Sequence, residues 1–179
     1  MTNIDHKRFS EGVLRGMELR LEHPPPFSEA ECETLDDLQV LRDATPTGLG
    51  LLPGLTGITY RGCEVVDLHQ LSTRKLIDVY SWSSNLTDIS LLPKIAPNLD
   101  HFDGPVNQVR DLRPLLDLPK LATAKVAGNP LDEHSFRVVL PELIRRGIVA
   151  DWTNDGTVRE DEYLLMRRFT ERNLRLSAF

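Results

Sequence analysis

Short apolar segments return along this chain at a spacing too long for the period of one helix or strand and too regular for chance. Leu55-x-x-Ile58-x-Tyr60, Leu76-x-x-Val79-x-Ser81, Leu99-x-x-Phe102-x-Gly104 and Leu121-x-x-Ala124-x-Val126 start 21, 23 and 22 residues apart. The agreement runs past each segment. Cys63, Ser84, Asn107 and Asn129 share one register, followed two residues later by Val65, Leu86, Val109 and Leu131. Asp67-Leu68, Asp88-Ile89 and Asp111-Leu112 come next, with Leu71, Leu92 and Leu115 three residues further on. A unit this short cannot bury its apolar side alone, so the copies must stack and share one core, which about three or more of them are needed to stabilise.

The unit reads L-x-x-L-x-L-x-x-N-x-L-x-D-L-x-x-L, and over about residues 52–152 it resembles the leucine-rich repeat family in its short subclass, as in bacterial internalins and repeat-type phosphatase regulators. Asn107-Gln108-Val109-Arg110-Asp111-Leu112-Arg113-Pro114-Leu115 carries the resemblance best, and Gly128-Asn129-Pro130-Leu131 is similar to a last repeat. The resemblance implies an α/β solenoid with a short parallel β-sheet, and it is nearly silent about function. Cys63 stands where the family also accepts a small buried Cys.

Terminal units of such an array must be atypical, because otherwise an apolar end would face water. The expected organisation is an N-terminal capping region over 1–48, repeats with a C-terminal cap over 49–152 and a helical extension over 153–179. Within the cap, Met17, Leu19 and Leu21 alternate with Glu18, Arg20 and Glu22, which favours a strand, although Phe9, Val13 and Met17 also fit a helical stripe. Pro24, Pro25 and Pro26 interrupt regular hydrogen bonding. Ser28-x-x-Glu31 reads as a capping box opening a helix through Leu35, Leu38 and Leu41, with Leu35-x-x-Leu38-x-Val40 as a fifth, degenerate repeat in the competing reading.

After Pro130, residues 133–146 carry Phe136, Val139, Leu140, Leu143 and Ile144 on one helical face, with Pro141 inside and Gly147 as the stop. Residues 148–152 then read as a final edge strand. Thr157-x-x-Glu160 starts a last helix with Leu165 and Phe169 as anchors. Ser81, Gly104 and Ala124 are small where the pattern calls for bulk, which predicts a thinner or more curved core in the middle repeats.

In a parallel stack the residues between the inward positions project from the concave face, with equivalents about 4.8 Å apart. Three rows follow: Gly57, Asp78, His101 and Thr123; Thr59, Tyr80, Asp103 and Lys125; Arg61, Trp82, Pro105 and Ala127. The expected partner-binding residues are Arg61, Asp78, Tyr80, Trp82, His101, Asp103 and Lys125. Exposed Tyr and Trp on a rigid sheet bury much area while freezing few rotors. Arg61 can stack on Trp82, and Asp103 can pair with Lys125. The bland reading is that flanking loops or the C-terminal helix cover the aromatics.

Asp67, Asp88 and Asp111 form a column that invites thoughts of calcium, but their place before Leu-x-x-Leu fits carboxylates accepting backbone amides at a turn. His101-x-Asp103 with Asp78 suggests an acid–base group, yet no nucleophile or metal motif accompanies it. No catalytic residue, metal or cofactor is expected.

Net charge is −6, and residues 1–48 hold ten acids against five bases. That argues against nucleic acid, which requires clustered Lys and Arg, and favours a basic protein partner. With no run of eighteen apolar residues and no apolar stretch after His6, Lys7 and Arg8, the expectation is a cytoplasmic protein without membrane contact. The sequence thus reads as a non-enzymatic protein-interaction module. Its alternatives are an immunity-type inhibitor of a basic toxin enzyme and a structural subunit that self-associates weakly through its C-terminal edge.

Overall fold

The computed structural model describes residues 3–71 and 74–152. The expected helix at Thr157 lies outside them. Among the described residues, six strands form one sheet in sequence order: β1 (Asp37–Leu41), β2 (Gly57–Arg61), β3 (Asp78–Trp82), β4 (His101–Asp103), β5 (Thr123–Lys125) and β6 (Val149–Asp151). Every neighbouring pair is parallel. Each strand returns to the next through a back segment that carries short 3-10 turns at Leu49–Leu51, Leu68–Gln70 and Arg113–Asp117 or the short helix α3 (Leu92–Ile95). The chain is an α/β solenoid of the leucine-rich repeat type.

The inward positions of successive coils meet in one continuous core. Leu38, Ile58, Val79, Phe102 and Ala124 are fully or almost fully buried, as are Leu35, Leu55, Leu76 and Leu99. Phe102 supplies the bulk that its neighbours lack, because a Cβ on Gly104 would lie only 2.9 Å from its ring. Around Gly104 the space is therefore taken by the Phe102 ring. Val65 is 48% exposed, whereas Val66 is 7% exposed, so in that coil the inward role shifts by one residue.

One corner recurs in every coil. Arg42, Gly62, Ser83, Val106 and Gly128, each seven residues after the leading Leu, all have left-handed backbone, with φ of 49°, 64°, 46°, 52° and 71°. This conformation suits Gly and costs other residues roughly 1–2 kcal/mol, most for a β-branched side chain. The corner aims the amides of Arg42, Gly62, Ser83 and Val106 at carbonyls of the next coil: Arg61, Trp82, Pro105 and Ala127.

The next residue turns inward and secures the backbone. Asn107 Oδ1 accepts the Leu86 amide at 3.2 Å, and its Nδ2 donates to the carbonyls of Ser81 and Pro105. Asn129 repeats the arrangement one coil on, accepting from the Val109 amide at 3.0 Å and donating to Gly104 and Val126. Ser84 Oγ accepts the Cys63 amide at 3.1 Å. Cys63 is buried, and burial pushes its thiol up. Asp67, Asp88 and Asp111 each accept the amide two residues ahead at 2.8–2.9 Å, which bears out their reading as turn caps.

At the N-terminal end the favoured strand over Gly16–Glu22 is instead part of a helix, α1 (Glu11–Leu21), and the Phe9–Val13–Met17 stripe is the buried side. The apparent alternation arose because Leu19 is 64% exposed and so plays no part in the core. Gly16 explains the close approach: a Cβ there would sit 2.3 Å from the Gln39 carbonyl oxygen of β1. The second helix, α2 (Glu29–Thr34), also stops earlier than its sequence pattern suggests. Its capping box forms as expected, but Leu35 is its C-cap and Asp37 to Leu41 enter the sheet as the degenerate repeat, with Asp43 at the Asn position. Asp43 accepts the amides of Gly12 and Thr45 at 3.0 and 3.1 Å and hydrogen-bonds Ser10, tying α1 to the first coil.

At the other end a π-helical turn, Ser135–Val139, runs into α4 (Leu140–Arg145). A wider turn is one way to accommodate the missing amide of Pro141. Gly147, at φ 83°, ends the helix as expected, while Ile144 is 54% exposed and not part of the packed face. Beyond it β6 forms the expected edge strand, with Trp152 edge-on to Phe136 at 5.1 Å.

Three outcomes follow from these contacts. Asn107→Ala leaves the buried Leu86 amide without its acceptor and removes one donor each from the Ser81 and Pro105 carbonyls, and should cost about 3 kcal/mol in urea unfolding. Val106→Asn relieves a β-branched residue at the corner and should stabilise by about 1 kcal/mol in the same assay. Glu31, held near pKa about 2 by the Ser28 hydroxyl and amide and then by His23, stabilises the fold above its ordinary value of 4.5. Because the folded pKa is the lower one, that contribution fades as pH falls towards 2. Thermal unfolding should show Glu31→Gln less stable than the parent at pH 6 and equal to it at pH 2.

Candidate functional site

The strands place alternate side chains on the sheet face opposite the core. The parallel register yields the first two expected rows and extends them by one strand on each side, whereas in the third row Pro105 and Ala127 fall beyond the ends of β4 and β5 and drop out of the ladder. Asp37, Gly57, Asp78, His101, Thr123 and Val149 line up in the first row, and Gln39, Thr59, Tyr80, Asp103, Lys125 and Asp151 in the second. Leu41, Arg61 and Trp82 make the third. Asp37, Gln39 and Asp151 were not among the expected residues, because β1 and β6 sit in weakly patterned sequence; the competing repeat at Leu35 was the signal for the first two.

All seven expected residues occupy this face in the intended order. Arg61 Cζ lies 5.7 Å from the Trp82 ring centroid, within cation–π range. Lys125 Nζ is 4.0 Å from an Asp103 carboxylate oxygen. His101 Nδ1 is 2.9 Å from Asp78 and 3.6 Å from Asp100, so its neighbours are the acid across the strand gap and the one before it in sequence.

Tyr80 and Trp82 are partly exposed, so the described loops do not seal the aromatics away. Asp103 by contrast is 7% exposed and lies at the floor. The Tyr80 hydroxyl is pushed up first by burial and then by Asp78, Asp103 and Asp37, with Lys125 opposing. Gly57 is where the row dips: a Cβ there would stand 2.7 Å from Asp37 Oδ1, so the Asp37 carboxylate folds over the glycine towards β3.

Just beyond the N-terminal ends of the strands, Thr56, Lys75, Ile77, Asn98, Asp100 and Lys120 line a shallow groove, with Ile77 42% exposed. Sequence periodicity missed this groove, since its residues lie between the repeat's marked positions. Among the described residues, no three His, Cys, Asp or Glu side chains are grouped closely enough to hold a metal ion. Nor is any described helix long and apolar enough to cross a membrane.

Neither a protein-family model nor a curated protein sequence matches the chain. Solved structures do. An internalin, InlF, from Listeria monocytogenes aligns at 20% identity over 71% of this chain with a TM-score of 0.61. This chain spans about half of that protein's length, 46% of it. A second Listeria internalin, InlC2, aligns more loosely, at 15% identity and a TM-score of 0.40 over 85% of this chain and 89% of its own. The parallel ladder, the inward Asn and Ser side chains and the alignment with InlF agree: this chain has the leucine-rich repeat fold of the internalins.

Proposed function

We propose that this chain is a non-enzymatic protein-binding module whose partner docks on the concave sheet face, contacting Arg61, Asp78, Tyr80, Trp82, His101, Asp103 and Lys125. The observation that carries this reading is the register: it gathers two partly exposed aromatics and their charged neighbours on one rigid face. Such a face offers aromatic anchors at low entropic cost, with polar groups around them to exclude wrong partners. The fold it shares with InlF, itself an internalin, is compatible with this role.

Several features favour binding over chemistry. His101 has acids beside it, but Cys32 and Cys63, the two cysteines, are buried, and burial pushes both thiols up and away from the reactive thiolate. The acidic balance of residues 1–48 supports steering of a basic partner, which is the property an inhibitor of a basic toxin enzyme would need. A second reading, self-association, is favoured by the open edge of β6, where Val149 is 62% exposed. Sedimentation showing a monomer at high concentration would remove it.

The test is capture of partners by the parent and by Tyr80→Ala/Trp82→Ala, both shown to be folded by circular dichroism, with quantitative mass spectrometry as the readout. Loss of a captured protein by about tenfold or more in the double variant, and not in Arg137→Ala in the exposed π-helical turn before α4, is expected. Equal recovery of every protein by all three would overturn the proposal.

A further inference from the structure

His23, in the loop between α1 and α2, has a hydrogen-bonding partner on each ring nitrogen. Nδ1 lies 2.8 Å from the Pro24 carbonyl oxygen, and Nε2 lies 2.8 Å from Glu31 Oε1. A carbonyl oxygen has no proton to give, and a carboxylate has none once it is ionised. Glu31 is ionised over nearly the whole pH range, because the Ser28 hydroxyl and amide, donating to its Oε2 at 2.6 and 2.7 Å, bring its pKa down to about 2. Both nitrogens of His23 must therefore donate, and only the imidazolium carries two N–H groups.

The neutral ring cannot keep this arrangement. Glu31, the charged acceptor, selects the tautomer protonated at Nε2, which sets the Nδ1 lone pair against those of the Pro24 carbonyl. Ring or carbonyl must then move. Three segments meet at this ring. His23 packs on Phe27 at 5.5 Å between centroids, and Phe27, itself buried, accepts the Ile4 amide on its carbonyl at 2.9 Å. Ser28, which caps α2 and holds Glu31, forms an antiparallel bridge with Asn3.

We propose that His23 is a pH-operated clasp of the N-terminal cap: as imidazolium it ties the loop at Pro24 to α2 and so steadies the arm at Asn3 and Ile4, and on losing its proton it lets both loosen. The charged groups around the ring are Glu31 from α2 and, lining the same shallow groove from α1 and its C-cap, Arg15, Glu18 and Glu22. Three acids against one base favour the cation. The Pro24 carbonyl first, and Glu31 second, raise the pKa of His23 above its ordinary 6.5. Because the folded value is the higher one, the contribution is complete below 6.5 and is lost as pH rises through the folded value. Glu31 works in the opposite sense, so the clasp is closed between the two. The aliphatic core takes no part, which makes the opening local.

The test is an NMR titration of the full-length ¹⁵N-labelled chain that follows the imidazole nitrogens of His23 together with hydrogen exchange at the Ile4 amide, corrected for its intrinsic pH dependence. Two protonated nitrogens are expected in mild acid, with a midpoint above 6.5. Protection of the Ile4 amide should fall by about tenfold across that midpoint, while amides in the core of the solenoid keep theirs. His23→Gln, which retains a donor but no titrating group, should flatten the Ile4 profile, and Glu31→Gln should lower the His23 midpoint. His6→Gln serves as the control, since His6 lies close to the arm in sequence and should leave the step in place. A midpoint at or below 6.5, a single protonated nitrogen in mild acid, or an Ile4 step that persists in His23→Gln or disappears in His6→Gln would overturn the clasp. None of these outcomes bears on the sheet face, so partner capture through Tyr80 and Trp82 stands or falls separately.

Discussion

The whole structure depends on how the backbone is satisfied at the corner that follows each strand. In a parallel stack the outer strands have one neighbour and the corners have no regular ladder, yet buried amides and carbonyls must be paired. Here a left-handed residue turns its amide onto the next coil, and the following side chain closes the gap from inside. Asn107 and Asn129 do this with both ends of their amide groups, whereas Ser84 offers only a hydroxyl and Asp43 only a carboxylate. The aliphatic core stacks in register because these polar groups fix the distance between coils.

The layout of the sheet face opposite the core is a product of that same register. Once the inward Leu, Ile, Val and Phe side chains are locked, the residues between them have no freedom to choose neighbours. Tyr80 must lie beside Asp103, and Arg61 beside Trp82. A loop could hold the same residues, but it would have to spend ordering entropy on binding that this scaffold has already spent on folding. The aromatics of this face thus have their backbone already fixed by the fold.

Much of this was legible because the repeat's marks are chemically distinct. Aliphatic residues at fixed offsets, a polar residue that cannot stay buried unpaired and an Asp before three of the back turns point to the same coil. What was not legible lay where a local pattern competed with the stack. In Gly16 to Glu22 the alternation mimicked a strand, but Gly16 lets a helix close on β1, and Gly12 lets it close on Asp43 just beyond. From Ser28 the capping box was genuine, yet it said nothing of where the helix would end, and Asp37 to Leu41 were drawn into the sheet by the coil beside them. Of the face, the central residues could be placed from the period alone. The folding of Asp37 over Gly57 could not, since it depends on the absence of a side chain one strand away.

The corner also decides where the chain can tolerate a change of length. From leading Leu to ladder residue the count is always eight, at Asp43, Cys63, Ser84, Asn107 and Asn129, although the coils themselves differ in size. All the slack is taken up behind, where 3-10 turns in some coils give way to α3 in another. Insertions and deletions on that side leave the spacing of Tyr80, Asp103 and their neighbours untouched. Such an architecture can drift in its rear wall while holding the alphabet of its front constant, and it can rewrite a single front letter without moving the letters on either side.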